Sequence, residues 1–284
     1  MHYNRHMKYK MIVSDLDGTL LPIGHTSPSP FALAVLKKAR NQGILITIAT
    51  GRGITGVPKE LSDEGLIDYV IACNGSIVYD FRNKKVLFSR ALDHKLTVDI
   101  IKKIKQEGIY VATYIDGNEI GNKEDLKRYD EFFINKEVSQ MMLSVIYDIK
   151  DNLLDFIITS HPNVNKILSF FNDEELDIRD KLMKEIKEEY SGIDISSAIY
   201  NNMEITDDSS TKGQGLSCLL QHLKMDLAET VVLGDGDNDI SMLKIAGLSI
   251  APANGSANAR KHAMIIADKV ENDGIIKAIE EYVL

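Results

Sequence analysis

The chain has no tryptophan, only two cysteines in 284 residues, six prolines and a minority of basic side chains. Each shortage excludes something. Two cysteines, Cys73 closing an apolar run and Cys218 inside a helical pattern, do not make a disulfide framework or a thiolate metal centre. Both are read as buried thiols in a reducing compartment. No stretch reaches the roughly 18 apolar residues of a membrane helix, and the polar opening Met1–Lys10, with Met7 as an alternative start, does not resemble a signal peptide. A cytoplasmic location is expected. With 33 Lys and Arg against 42 Asp and Glu, the net charge of −9 lacks the electrostatic footprint for nucleic acid or an anionic membrane. Such a chain binds an anion only through a local positive feature: a metal, a lysine or helix N-termini. What is present is ordinary, with 44% hydrophobic and 26% charged residues, so a packed core is expected and disorder is not.

Short apolar runs alternate with helical patterns in the first part of the chain. Met11-Ile12-Val13-Ser14 breaks into Asp15-Leu16-Asp17-Gly18-Thr19. Pro30 to Asn41 has helical spacing, Ile44 to Ala49 is a continuous apolar strand closed by Thr50-Gly51-Arg52, and Tyr69 to Cys73 is another, stopping at Asn74-Gly75. Continuous apolar strands separated by helices predict a parallel sheet covered on both faces. Ile77–Tyr79 and Val86–Phe88 read as a hairpin.

Between about Leu87 and Glu204 the texture changes. Helices are expected at Thr97–Glu107, His161–Phe170 and Ile178–Tyr190, and weaker strands at Tyr110–Tyr114, Met142–Ile146 and Asp155–Ile158. Phe132, Phe133, Met141 and Met142 are read as packing residues. The first pattern then returns: helix Gly213–Leu223, strand Thr230–Leu233, helix Ile240–Ala246, strands Leu248–Ile250 and Ile265–Ala267, and helix Ile275–Tyr282. The expected architecture is α/β: a doubly wound, mainly parallel sheet in residues 1–86 and 205–284, interrupted by an inserted α+β domain in residues 87–204.

Polar residues terminate three of these strands: Asp15 and Asp17, Thr50 and Gly51, and Asp235, Asn238 and Asp239. Ligands of open parallel sheets bind beyond the carboxyl ends of the strands. Carboxylates gathered there repel one another unless a cation neutralises them. Oxygen donors without histidine or cysteine suit a hard cation, Mg²⁺ best of all. The cation in turn attracts an anion, and phosphate is the common one.

The same residues resemble a known family. Asp15-Leu16-Asp17-Gly18-Thr19-Leu20 is similar to the first motif of the haloacid dehalogenase-like (HAD) superfamily, Ile48 to Arg52 to the second, Lys212-Gly213 to the third, and Gly234-Asp235-Gly236-Asp237-Asn238-Asp239 to the fourth. Their order, with a large insert between the second and third, resembles the Cof-like phosphatases, as do Cys73 to Ser76 and Glu271 to Gly274. The resemblance implies a Mg²⁺-dependent phosphatase acting on a small phosphorylated metabolite, with the inserted domain as a specificity cap. It implies that Asp15 is the nucleophile and that Asp17 is the general acid and base. The metal would be held by Asp15, the Asp17 carbonyl and Asp235. Thr50, Gly51, Lys212 and Asn238 would bind phosphate or substrate, and Asp239 would brace the metal site or Lys212. One departure stands out: Ile250-Ala251-Pro252-Ala253-Asn254-Gly255 replaces the expected Met-Gly-Asn-Ala. Pro252 removes a backbone donor, so no contact is carried over from this loop.

The same residues admit rival readings. A lone Asp-x-Asp-Gly is ordinarily a turn, a lone Thr50 a cap, and a lone Lys212 a solvated side chain. Gly51-Arg52-Gly53-Ile54-Thr55-Gly56 matches a dinucleotide fingerprint, but the next strand closes at Cys73-Asn74-Gly75 without the acidic residue such a site needs. A calcium loop at Asp235–Asp239 lacks the spaced ligands and terminal glutamate of an EF-hand. A phosphomutase using the same intermediate, and a metabolite-binding protein with an idle site, are the alternatives in function.

Overall fold

The computed structural model describes residues 8–133, 136–197 and 199–284; Met7 lies outside them. In chain order the strands are β1 (Met11–Ser14), β2 (Leu45–Ala49), β3 (Tyr69–Ala72), β4 (Ile77–Asp80) and β5 (Lys85–Ser89). Next come β6 (Ala112–Ile115), β7 (Asn118–Asn122), β8 (Asp148–Lys150), β9 (Val164–Phe170), β10 (Ile193–Ser196) and β11 (Asn202–Asp207). The last are β12 (Thr230–Leu233), β13 (Leu248–Pro252) and β14 (Ile265–Ala267). The chain forms two compact units, one from the residues up to Thr50 with Val57–Phe88 and Thr211–Leu284, the other from Gly51–Gly56 and Ser89–Ser210.

The first unit holds a sheet in the order β14-β13-β12-β1-β2-β3-β4-β5, parallel from β14 to β3, with β4 antiparallel to β3. Met11 and Val13 pack with Leu216 and Leu219 of helix Lys212–Leu223 and with Met242. Ile12 points to the opposite face by the pleat and is equally buried, which is why β1 reads as an unbroken apolar run. Helix Pro30–Asn41 packs on β2 and on helix Gly274–Tyr282. Ser29 starts it by accepting from the Ala32 amide at 3.0 Å, with Pro30 at the first helical position. The doubly wound α/β fold follows. Because β1 lies between β2 and β12, the strand order reverses there, and the tips of these three strands carry Asp15, Thr50 and Gly234-Asp235.

The second unit holds a sheet in the order β10-β11-β9-β6-β7-β8, antiparallel except for β7 and β8. Helices His94–Gln106, Leu153–Ser160 and Leu176–Glu189 bury Ile100, Ile104, Ile157, Leu182 and Ile186 with Val111, just before β6, and with Ile167, Met203 and Ile205 of the strands. The alternate residues Tyr114, Lys166 and Glu204 therefore belong to the other face. Phe132 and Phe133 pack with Tyr110, Tyr129 and Phe170 in an aromatic cluster.

Three expectations for this unit fail. His161–Phe170 is not a helix: Val164–Phe170 is strand β9. Every residue of β9 is buried, so the alternation of a strand is missing and Val164, Ile167, Leu168 and Phe171 mimic helical spacing. Asp155–Ile158 is not a strand but part of helix Leu153–Ser160, which Asn152 caps by accepting from the Asp155 amide at 3.2 Å. Met142–Ile146 is not a strand either. Helix Lys136–Ser144 runs into it, and the Val145 and Ile146 amides turn back onto Met142 and Leu143. β11 pairs with β9 and β10, so the first unit resumes at Thr211 rather than at Ile205. Cys73 is buried, whereas Cys218 is only partly so; both are free thiols. No helix among the described residues is long and apolar enough to cross a membrane.

Candidate active site

Asp15 is the first residue past β1, and its amide donates to the Leu233 carbonyl of β12 at 3.0 Å. The chain then turns tightly, the Leu20 and Leu21 amides returning to the Leu16 carbonyl and Gly18 N–H donating to Leu21 O at 2.7 Å. Gly18 adopts φ +84°, and a Cβ there would collide with the Asp235 carboxylate. Glycine is what lets this turn approach Asp235. Thr19 then donates its hydroxyl to Asp235 Oδ1 at 2.6 Å.

Lys212 stands at the first turn of helix Lys212–Leu223, which Thr211 caps by accepting from the Gln214 amide. A cation is disfavoured at a helix N-terminus, and this one is 1% exposed. Two carboxylates hold it: Nζ lies 2.6 Å from Asp15 Oδ1 and 2.6 Å from Asp239 Oδ1. Burial works against the Lys212 charge, but Asp15 and Asp239 outweigh it and keep its pKa above the ordinary value. Asp239 is fully buried, and its Oδ2 accepts from the Asp235 and Gly236 amides at 2.9 and 2.8 Å.

Burial pushes the Asp15 carboxyl well above its usual range; Lys212 opposes the shift, and Asp239 and Asp235 reinforce it. Asp235 is also raised, by burial first, with the Thr19 hydroxyl opposing. Oxygens of Asp15, Asp235 and Asp239 lie within 4.8 Å of one another. Both oxygens of Asp239 are committed to Lys212 and the two amides. The acceptor capacity open to a cation is therefore on Asp15 and Asp235, whose carboxyls are raised by burial first and by neighbouring carboxylates second, and a cation would favour the charged form of both. The donors are all carboxylate oxygens, which suits a hard divalent ion.

Four of the expected residues, Asp15, Lys212, Asp235 and Asp239, thus converge. Asp17 is exposed, on the turn beside them. Thr50 is buried past β2, its amide donating to Ile71 O at 2.8 Å and its carbonyl accepting from the Asn74 amide at 3.1 Å. Asn238 is exposed and donates to Asn74 Oδ1 at 3.2 Å. Gly51 groups with the second unit. The segment it opens forms a single turn at Ile54–Gly56 rather than the helix start of a dinucleotide site.

Three contributors were not assigned from the sequence. Thr19 sits in the quoted motif, and its spacing from Asp17 was the available signal. Asn74 is left-handed (φ 55°) directly after left-handed Cys73 (φ 51°), a conformation no sequence pattern announced. The loop after Pro252 does contribute: the Ser256 amide donates to Asp235 O at 2.8 Å, and its hydroxyl to Asp237 Oδ1 at 2.7 Å.

A family model described as haloacid dehalogenase-like hydrolase matches residues 12–279. Phosphatase YwpJ of Bacillus subtilis is 28% identical over 281 residues, spanning 92% of this chain and 94% of its own. Among solved structures, a haloacid dehalogenase-like hydrolase from Bacteroides thetaiotaomicron superposes with a TM-score of 0.81 at 23% identity, covering 96% of this chain and 99% of its own. The subclass IIB sugar phosphatase BT4131 superposes with a TM-score of 0.76 at 22% identity, over 96% and 98% of the two chains. At these identities the structures establish likeness of fold.

Proposed function

This chain belongs to the haloacid dehalogenase-like hydrolase family, and on that premise we propose that it is a Mg²⁺-dependent phosphatase of small phosphomonoesters that works through a phospho-aspartyl intermediate on Asp15. The observation that carries the reading is the buried grouping of Asp15 and Lys212 at 2.6 Å, with the Asp235 carboxylate alongside. Sugar phosphates are the proposed substrate class, a choice supported by the neighbour named a sugar phosphatase. We assign substrate selection to the inserted unit.

Asp15, Asp235 and the Asp17 carbonyl would hold the Mg²⁺ ion, which when bound neutralises the carboxylates and polarises the phosphoryl group. Lys212 holds one Asp15 oxygen and so orients the carboxylate for in-line attack by the other. Its charge also offsets the charge of the transferring group. Asp239 keeps Lys212 in place. The Thr50 hydroxyl and the Gly51 amide bind phosphoryl oxygens, and Asn238 contacts the substrate. Asp17 protonates the departing alcohol oxygen, then takes a proton from the water that attacks phosphorus and releases phosphate from Asp15.

The test is hydrolysis of p-nitrophenyl phosphate and a panel of sugar phosphates, with Mg²⁺ or EDTA, by the native chain and Asp15→Asn. Turnover that needs Mg²⁺ and disappears in the variant is expected. Turnover retained by Asp15→Asn would rule out the covalent route.

A further inference from the structure

Lys166 has no part in the chemistry assigned above. It lies in β9, is 1% exposed, and sits 3.0 Å from Glu204 Oε1 and 4.3 Å from the centre of the Tyr114 ring. Stability alone is a weak reason for such a pair, because apolar residues of similar volume often serve as well or better. Lys166 makes a further bond: its Nζ donates to the carbonyl oxygen of Gly51 at 2.8 Å.

Gly51 begins the segment Gly51–Gly56, which belongs to the same compact unit as Lys166. The rest of that segment is anchored in the unit. A Cβ on Gly53 would stand 2.7 Å from both the Gly117 carbonyl and the Tyr114 ring. The Ile54 amide donates to Gly117 O at 2.8 Å, and the Thr55 hydroxyl to Val145 O at 2.7 Å. On the other side of Gly51, the Thr50–Gly51 peptide is held by the bond from the Asn74 amide to the Thr50 carbonyl. Gly51 itself is the residue type with the widest backbone freedom. Rotation there would turn the Gly51–Arg52 peptide over. In a trans peptide the C=O and N–H point in opposite directions, so rotation would leave the Gly51 amide in place but exchange the neighbouring Arg52 N–H for the Gly51 carbonyl oxygen, which repels an anion.

We infer that Lys166 is a positioning residue for phosphoryl binding: it keeps the Gly51 carbonyl turned toward its own ammonium group and so preserves a donor-only loop after Thr50. The inference rests on the reading that Thr50 and Gly51 hold phosphoryl oxygens. It concerns the phosphoryl group itself, so its effect is independent of the leaving group.

Lys166→Met alone leaves Glu204 buried without its cation, and lost stability would confuse the result. The double variant Lys166→Met/Glu204→Gln removes that charge and still leaves the Gly51 carbonyl unheld. The readouts are thermal unfolding, kcat and KM for p-nitrophenyl phosphate, and the inhibition constant of inorganic phosphate. We expect the double variant to unfold near the native temperature while KM and the phosphate inhibition constant both rise about tenfold, the scale of one lost charge-assisted bond. Glu204→Gln alone, which keeps Lys166 on Gly51, is expected to leave the inhibition constant within about twofold of native. A native inhibition constant in the double variant overturns the inference and leaves the phosphatase reading standing. So does a raised KM with a native inhibition constant, which would put Lys166 on the leaving group. If the native chain neither hydrolyses the ester nor is inhibited by phosphate, both readings fall.

Discussion

Asp239→Asn separates bracing from metal binding at the carboxylate cluster. The Asp239 side chain is fully buried and accepts three hydrogen bonds, one from Lys212 and two from the amides of Asp235 and Gly236. Asparagine has the same shape but one acceptor oxygen. If that oxygen faces the amides, its NH₂ meets the Lys212 ammonium; if it faces Lys212, its NH₂ meets two amide donors. Either way a charge-assisted bond worth about 1.5–3 kcal/mol is lost and a buried donor is left unpaired, for a combined cost of roughly 3 kcal/mol. For a chain of this size that lowers Tm by roughly 6 °C or more. With Lys212 held only by Asp15, kcat for p-nitrophenyl phosphate should fall by roughly 10²-fold. The concentration of Mg²⁺ giving half-maximal activity should move little, whereas Asp235→Asn should raise it steeply. Asp237→Asn is the control: that carboxylate is exposed and bonded to Ser256 and Asn258 on the surface, and its cost should stay within about 0.5 kcal/mol. Native stability and native kcat in Asp239→Asn would refute the bracing argument. Retained stability with a large loss of Mg²⁺ affinity would make Asp239 a ligand.

Thr19→Val keeps volume but removes the hydroxyl on Asp235 Oδ1; it should cost about 1–2 kcal/mol in chemical denaturation and raise the Mg²⁺ requirement in the activity assay. Gly75→Ala should be more damaging. Gly75 has φ +103° and a Cβ there would enter the Thr211 carbonyl, so the helix start bearing Lys212 must shift, and both Tm and kcat should drop. Glu119 is buried, and burial raises its carboxyl pKa despite the Tyr114 hydroxyl bond and the Lys166 charge. A raised carboxyl pKa favours folding below the unfolded value and opposes it as pH rises through the folded value. Glu119→Gln should therefore raise Tm at pH 8, with the gain shrinking toward pH 4.

The fold of the first unit was legible because both faces of its sheet are covered. Runs such as Met11–Val13 and Val231–Leu233 are apolar throughout, and the chain turns polar or to glycine directly after them. The same property misled the reading of β9. Lys166, Asn165 and Ser169 are buried in it, so neither polarity nor period marked a strand. The carboxylates and Lys212 were legible because each sits at a strand tip or helix start, where local sequence carries a signal. Their partners were not. The Thr19 bond to Asp235 and the Ser256 bond to the same residue join positions distant in sequence. The left-handed Cys73-Asn74 pair leads into Gly75, which packs against the Thr211 carbonyl, a contact between positions far apart in sequence.

The register of β1 has a bearing on biosynthesis. Ile12 pairs on one side with Ile46 and on the other with Val231. At ribosomal rates of about 5–20 residues per second, roughly 10–45 s separate the synthesis of Ile12 from that of Val231. Throughout that interval one edge of the strand has no partner, and the whole of Ser89–Ser210 is synthesised before that partner is made. The nascent chain thus depends on whatever shields Met11–Ser14 from other chains until Thr230–Leu233 is made, and slowing translation after Ser210 should raise the aggregated fraction.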